Sequence, residues 1–233
     1  METSPTNREP WIPALSRAGW ELVVDRVIHG LCHDFTGRAS ALRGLHYLME
    51  EGDPDAATLT PLLAQEVESL DRTIGLLRLL PDDSTGADLL APGEVLESLA
   101  RLVRSQRGLE DVDVTVEIGP GAPAVRIDRT LFIRSLLLLL TGAAEGALLE
   151  GGRRIVVRGR SGSHGLILEI APFPEAGKAE LAGEGILPRQ VVPMSRMREV
   201  ARILATQEVG TEEFQGKDGA RALRLTYPSA SSP

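Results

Sequence analysis

Leu31-Cys32-His33-Asp34-Phe35-Thr36-Gly37 sets a histidine and a carboxylate side by side within a stretch of helical periodicity. An imidazole is a nucleophile near neutral pH. A carboxylate that accepts a hydrogen bond from one ring nitrogen fixes the tautomer and leaves the other nitrogen free to attack. Such a pair suits accepting and passing on a phosphoryl group. The competing account of the same residues is an ordinary exposed His-Asp pair on a solvated helix face. His33 comes five residues after Ile28, on the side of the helix away from its apolar seam. Its surface neighbours, three and four residues away, are His29, Gly30, Thr36 and Gly37. A helical glycine costs ~1 kcal/mol relative to alanine, so Gly30 and Gly37 together give up ~2 kcal/mol of helix preference. Either they clear space around the imidazole for a docking partner, or they admit close packing against a neighbouring helix. Arg38 interrupts the seam. It either snorkels outward or lines the groove and contacts phosphate.

The remaining reactive residues carry weaker signals. His29 and His33 have the i,i+4 spacing of a metal pair, but no third ligand stands at suitable spacing, so no metal is expected. His46 reads as bundle-edge packing, and His164 lies in a Gly/Ser turn. Cys32 is the only cysteine, which excludes an internal disulfide and a cysteine-based metal cluster and fits a reducing cytoplasm.

These residues need a scaffold. With 233 residues and 42% apolar content, the chain can bury a sizeable core in one or two domains. Aromatics are 3%, so that core is built of Leu, Val, Ile and Ala. The net charge of −8, with no Lys/Arg block, argues against nucleic acid or anionic membranes as partners and is read as solubility. Met1 to Trp11 is polar and contains proline, without an apolar signal core. The apolar run Leu136–Leu140 is far too short to span a bilayer. A membrane sensor is therefore not expected.

Residues 1–15 are expected to be a disordered lead-in. From Ser16 to Glu51 there is no proline, and apolar residues recur at heptad spacing: Ile28, Phe35, Leu42 and Met49 in one row, Val24, Leu31, Arg38 and Leu45 in the other. Gly52-Asp53-Pro54-Asp55 predicts a turn. A second helix is predicted over Ala57–Leu80, with a seam of Leu63, Val67, Leu70, Ile74 and Leu77, ended by Pro81–Gly86. One hairpin leaves both apolar stripes partly open to water; two hairpins paired as a four-helix bundle bury them, so residues 16–81 predict a homodimer. Residues 87–228 have a different pattern. A helix is expected at Pro92–Arg107, strands at Val112–Ile118 and Ala124–Ile127, and a helix at Arg129–Leu149 capped by Asp128. A hairpin of Arg154–Arg160 and Gly165–Ile170 follows, then a Pro/Gly-rich stretch over Pro172–Gly185, a helix at Met194–Thr206 and a strand at Ala220–Tyr227. The fold class is thus α+β: a long antiparallel helical hairpin followed by a two-layer α/β sandwich.

His33-Asp34-Phe35, with Leu31-Cys32 before it and Ala39–Leu42 after it, resembles the phosphoacceptor motif of bacterial histidine kinases, especially the variant His-Asp-Phe-Asn-Asn-Leu-Leu. The hairpin resembles their dimerisation and phosphotransfer domain. The second half is similar in order and spacing to their ATP-binding domain, and the resemblance covers roughly residues 18–228.

The departures are as informative as the matches. Those kinases hold magnesium and ATP with an asparagine on the helix corresponding to Leu131–Leu149. The only asparagine in this chain is Asn7, and a face of Leu136–Leu140 offers a hard cation no oxygen ligand. The adenine-reading Asp-x-Gly-x-Gly box is replaced by Ala171–Gly177, the glycine-rich lid box by Leu187–Pro193, and the late Gly-x-Gly-Thr by Glu212–Gly219. Thr36 and Gly37 replace the two asparagines after the motif histidine, which puts intrinsic phosphatase activity in doubt.

The combination resembles dimeric histidine phosphotransferases built on a kinase-like body with a degenerate ATPase-like domain. That resemblance implies a cytoplasmic phosphorelay protein that moves a phosphoryl group between receiver-domain aspartates. His33 would carry the group, Asp34 would orient it, and His29, Gly30, Thr36, Gly37 and Arg38 would form the docking surface. The partners implied are response-regulator receivers, which bring their own Mg²⁺; no cofactor of the chain's own is expected. The alternative is a non-catalytic kinase-like dimer that sequesters a receiver. Loss of the nucleotide motifs argues against an ATP-dependent kinase.

Overall fold

The Leu-rich stretch after Asp128 forms one continuous helix in the computed structural model, which describes residues 11–50, 56–81, 86–172, 194–216 and 219–229. In chain order the helices are α1 (Trp11–Arg17), α2 (Trp20–Glu50), α3 (Ala56–Leu79), α4 (Pro92–Arg104), α5 (Arg129–Leu149) and α6 (Met194–Ala205). The strands are β1 (Ala87–Leu90), β2 (Asp113–Ile118), β3 (Val125–Asp128), β4 (Arg154–Gly162), β5 (Gly165–Ala171), β6 (Gly210–Gln215) and β7 (Arg221–Pro228). The architecture is α+β with a mixed sheet. The expected turn at Gly52–Asp55, most of the Pro172–Gly185 stretch and the Leu187–Pro193 segment lie outside the described residues.

Asp128 caps α5 as its position suggests: its Oδ1 accepts from Leu131 N–H at 2.9 Å and its Oδ2 from Gly86 N–H at 2.6 Å. An all-round apolar helix must be enclosed, and Thr130 through Ala147 are buried. By length and hydropathy α5 could cross a membrane, but 94% of its apolar window is buried inside this fold. On one side stands a sheet in the order β2-β4-β5-β7-β6, with β2 parallel to β4 and the other pairs antiparallel. Period-two alternation sends Ile155, Val157, Leu168, Ile170, Leu223 and Leu225 into the core. The outer face is a ladder of ion pairs from Glu117–Arg158 at 2.8 Å to Arg160–Glu169–Arg224–Glu212. Strand β1 pairs antiparallel with β3, and β6 with β7; neither β1 nor β6 was expected from its sequence pattern.

The disordered lead-in expected over residues 1–15 is corrected over its described part. Trp11, Ile12 and Leu15 of α1 are buried, with Leu15 fully so. The single helix expected from Ser16 is likewise interrupted. Gly19 takes φ +106°, a conformation that separates α1 from α2 and suits only glycine.

The apolar seam of α2 divides between two tasks. Trp20, Val23, Val27 and Leu31 lie in one contiguous core with Leu96, Leu99 and Leu136 of α4 and α5. Leu31, expected in the dimer seam, is 1% exposed within a single chain. Further along, α2 packs on α3, while Ile28, Phe35 and Met49 of α2 and Leu63, Val67 and Leu77 of α3 are exposed.

Candidate functional site

Because α2 uses its first turns to join the α/β core, the segment just beyond Leu31 is seated at the core's edge. His33 projects from it with 86% of its side chain exposed, and Asp34 with 50%. His33 Nδ1 lies 3.9 Å from Asp34 Oδ1, beyond hydrogen-bond length but close enough for an ion pair once the ring is protonated. Nδ1 is thus the nitrogen on the carboxylate side, and Nε2 is the one open to an incoming electrophile.

Two depressions flank the imidazole. One, of about 460 Å³, is lined by His29, Gly30, His33 and Asp34 from α2 and by Arg104, Ser105, Arg107 and Glu110 from the end of α4 and the loop after it. The other is shallower, about 260 Å³, and is lined by His33, Asp34, Gly37, Arg38 and Ala41 with Glu66 from α3.

The two glycines beside His33 have different roles. At Gly37 an added Cβ would meet nothing within 4 Å, so its bareness leaves the surface beside the imidazole clear. Gly30 is buried, and a Cβ there would overlap the Ser105 carbonyl. It admits backbone-to-backbone contact between α2 and the C-terminus of α4, the close-packing account of this glycine, and it also lines the larger depression beside His33. Gly30→Ala is expected to destabilise the chain by about 1–3 kcal/mol, the usual cost of overpacking a close contact. Gly37→Ala should instead stabilise it by up to ~1 kcal/mol. Urea denaturation of the two variants checks this, and equal midpoints would refute the distinction.

The other expected docking residues are also placed. His29 is exposed. Thr36 is exposed, with its hydroxyl donating to the Cys32 carbonyl one turn back at 2.8 Å. Cys32 is exposed rather than packed. Arg38 does not snorkel into solvent: its Nη1 donates to Glu66 Oε2 at 3.1 Å, bracing α2 against α3, and its buried Nε has no hydrogen-bond partner among the described residues. Among the described residues no group of three or more His, Cys, Asp or Glu side chains could hold a metal ion.

Sequence reasoning missed the residues that come from outside α2. Arg26, two turns before His33, donates through Nε and Nη2 to Gln106 Oε1 at 3.2 and 2.6 Å and through Nη1 to Glu145 of α5. Gln106 Nε2 in turn donates to Thr141 Oγ1 at 2.8 Å. Gln106 and Thr141 are fully buried and Glu145 is 2% exposed. The polar character of Arg26, Gln106 and Glu145 gave no sign that they meet.

No family profile matches the chain, and no curated protein matches it. Solved structures similar to it include the histidine kinase AdeS of Acinetobacter baumannii, at 15% identity and TM-score 0.42, covering 85% of this chain and 98% of that one. A histidine kinase of Burkholderia phymatum STM815 is similar at 14% identity and TM-score 0.45, covering 93% and 98%. A bacterial phosphotransferase is similar at 13% identity and TM-score 0.43, covering 87% and 95%. At these identities and scores the likeness carries no argument for what the chain does.

Proposed function

We propose that the chain is a histidine phosphotransferase of a two-component phosphorelay, carrying a phosphoryl group between receiver-domain aspartates on His33. The observation that supports this most is the display of His33: an almost fully exposed imidazole on a helix whose first turns are buried in the core, with Asp34 on its Nδ1 side and Gly37 leaving its flank bare. In the forward step the Nε2 lone pair attacks phosphorus, and the bond to the receiver's acyl oxygen breaks. Its electron pair stays on the receiver carboxylate. The ring's own proton remains on Nδ1, facing Asp34, so no separate base is required. The receiver supplies Mg²⁺; this chain supplies position.

The enclosure of α5 supports a role without nucleotide. Its residues Thr130–Ala147 are buried in the fold, and Gly142 is in such close contact with Met197 of α6 that a Cβ would overlap the thioether. The test is to mix the purified chain with a phosphorylated receiver, without ATP, and look for acid-labile label on the chain. Tight receiver binding with no label on any receiver tried would favour the sequestering module instead.

In this reading the protein works as a homodimer in the cytoplasm. The exposed apolar rows of α2 and α3 are the surface that a second hairpin would cover in a four-helix bundle. Since Leu31 belongs to the core of the single chain, substitutions that test the dimer must avoid it. Phe35→Glu with Val67→Glu is expected to convert a dimer to a monomer in light scattering at micromolar concentration, with an unchanged far-ultraviolet circular dichroism spectrum. A monomeric wild type would defeat the claim.

A further inference from the structure

The loop that ends α4 is tied to the His33 helix at two successive residues. The Ser105 carbonyl rests against Gly30, and Gln106 is gripped by Arg26. The residues on either side of this anchored pair are Arg104 and Arg107, both exposed, and both line the cleft that contains His33 and Asp34. Among the described residues neither guanidinium forms an ion pair or hydrogen bond. The remaining carboxylate of the cleft, Glu110, accepts the Gly108 N–H at 2.7 Å.

A last-turn arginine can serve simply to offset the helix dipole, and Arg104 is in that position. Arg107 lies beyond the helix, and the dipole does not account for it. Two unpaired guanidinium groups beside a nucleophile are suited to a phosphoryl group, whose oxygens they contact with paired N–H donors.

We propose that Arg104 and Arg107 form a phosphoryl-binding clamp that receives the group in transit at His33. This deepens the phosphotransfer reading and rests on it. During transfer, charge spreads over the equatorial oxygens of phosphorus, and the clamp contacts those oxygens while Nε2 forms its bond. Anchoring through Gly30 and Arg26 keeps both side chains on the same side of the imidazole.

A small donor separates the clamp from receiver docking. With phosphoramidate, the P–N bond to ammonia breaks as the bond to His33 forms, and no partner protein is involved. Labelling is followed by phosphorus NMR in the full chain, with inorganic phosphate as competitor. Arg104→Ala with Arg107→Ala is expected to slow labelling about tenfold or more, less than the roughly hundred- to thousandfold seen on removing a donor from a water-excluded oxyanion site, because both guanidinium groups are exposed to solvent. Competition by phosphate should be lost as well. Lysine at both positions should recover part of the rate. Urea midpoints should move little, because both side chains are exposed and the only structural loss is the contact of Arg104 with the helix dipole.

If the wild type is labelled by a receiver alone, the same rate ratio is read at saturating receiver concentration, where docking differences drop out. Equal rates in the double variant and wild type would overturn the clamp while leaving phosphotransfer intact. A wild type labelled by neither donor would overturn phosphotransfer and the clamp together.

Discussion

His33→Gln is expected to take up no acid-labile label from a phosphorylated receiver that labels the wild type. The group removed is the nucleophile itself, and a glutamine amide cannot form the phosphoramidate bond, so the loss should be roughly a thousandfold or more. With 86% of the side chain in solvent, the change should leave stability within about ±0.5 kcal/mol and the oligomeric state unchanged. Asp34→Asn removes a charge but keeps the shape. At 3.9 Å from Nδ1 the carboxylate acts on the ring as a nearby charge rather than as a hydrogen-bond acceptor. Transfer should therefore slow several-fold, the scale of an exposed ion pair worth up to ~1 kcal/mol, and docking should persist. Gly37→Leu separates chemistry from access. An added Cβ there meets nothing within 4 Å, so the helix should gain stability from the loss of glycine while the longer side chain obstructs the receiver. Label on the His33→Gln chain would remove the phosphoacceptor assignment. Unimpaired transfer by Gly37→Leu would place the docking surface elsewhere.

What the sequence revealed of this arrangement depended on how local each signal was. Helix α5 is bounded by its own residues, with Asp128 as its cap, and its limits were readable to the residue. The β4–β5 hairpin, with its Gly/Ser turn, was equally local. Strand β1 was not visible because it is short and is held by pairing with β3, which lies beyond α4 and β2. Strand β6 pairs with the adjacent β7, but Gly210-Thr211-Glu212-Glu213-Phe214-Gln215 is polar and lacks the apolar alternation that marks a half-buried strand. Helix α1 was hidden by the polar, proline-containing residues before it, although Trp11, Ile12 and Leu15 follow helical spacing. The heptad rows of α2 showed which residues are apolar but not what covers them. Leu31 turns into the core of its own chain while Phe35, one turn later, remains open. Gly30 and Gly37 are the clearest case. The same residue type stands on either side of one histidine, and only the position of Ser105, 75 residues beyond Gly30, distinguishes a packing contact from a bare surface. The same distance in sequence hid Arg104 and Arg107.

Arg26→Ala is expected to produce the largest loss of stability of any single polar substitution proposed. Its partner Glu145 is 2% exposed, and Arg26 itself only 12%. Truncating the arginine leaves a buried carboxylate without its guanidinium and Gln106 without two donors, a loss of about 3–5 kcal/mol for a broken buried pair. That is a large share of the roughly 5–15 kcal/mol by which a typical domain is stable. Arg26→Met with Glu145→Leu removes both charges together and should recover most of the loss, since apolar replacement of a buried pair is often neutral. The two variants then part in function. The double variant regains stability but no longer grips Gln106, so the end of α4 and the loop after it, which bear Arg104 and Arg107, lose one of the ties to α2 and keep the Gly30 contact. Its labelling by phosphoramidate should fall below that of the wild type even though its urea midpoint approaches it. A cost below 1 kcal/mol for Arg26→Ala would mean that the pair is not desolvated in solution. Full labelling by the restored double variant would mean that the Arg26–Gln106 anchor has no part in setting the clamp.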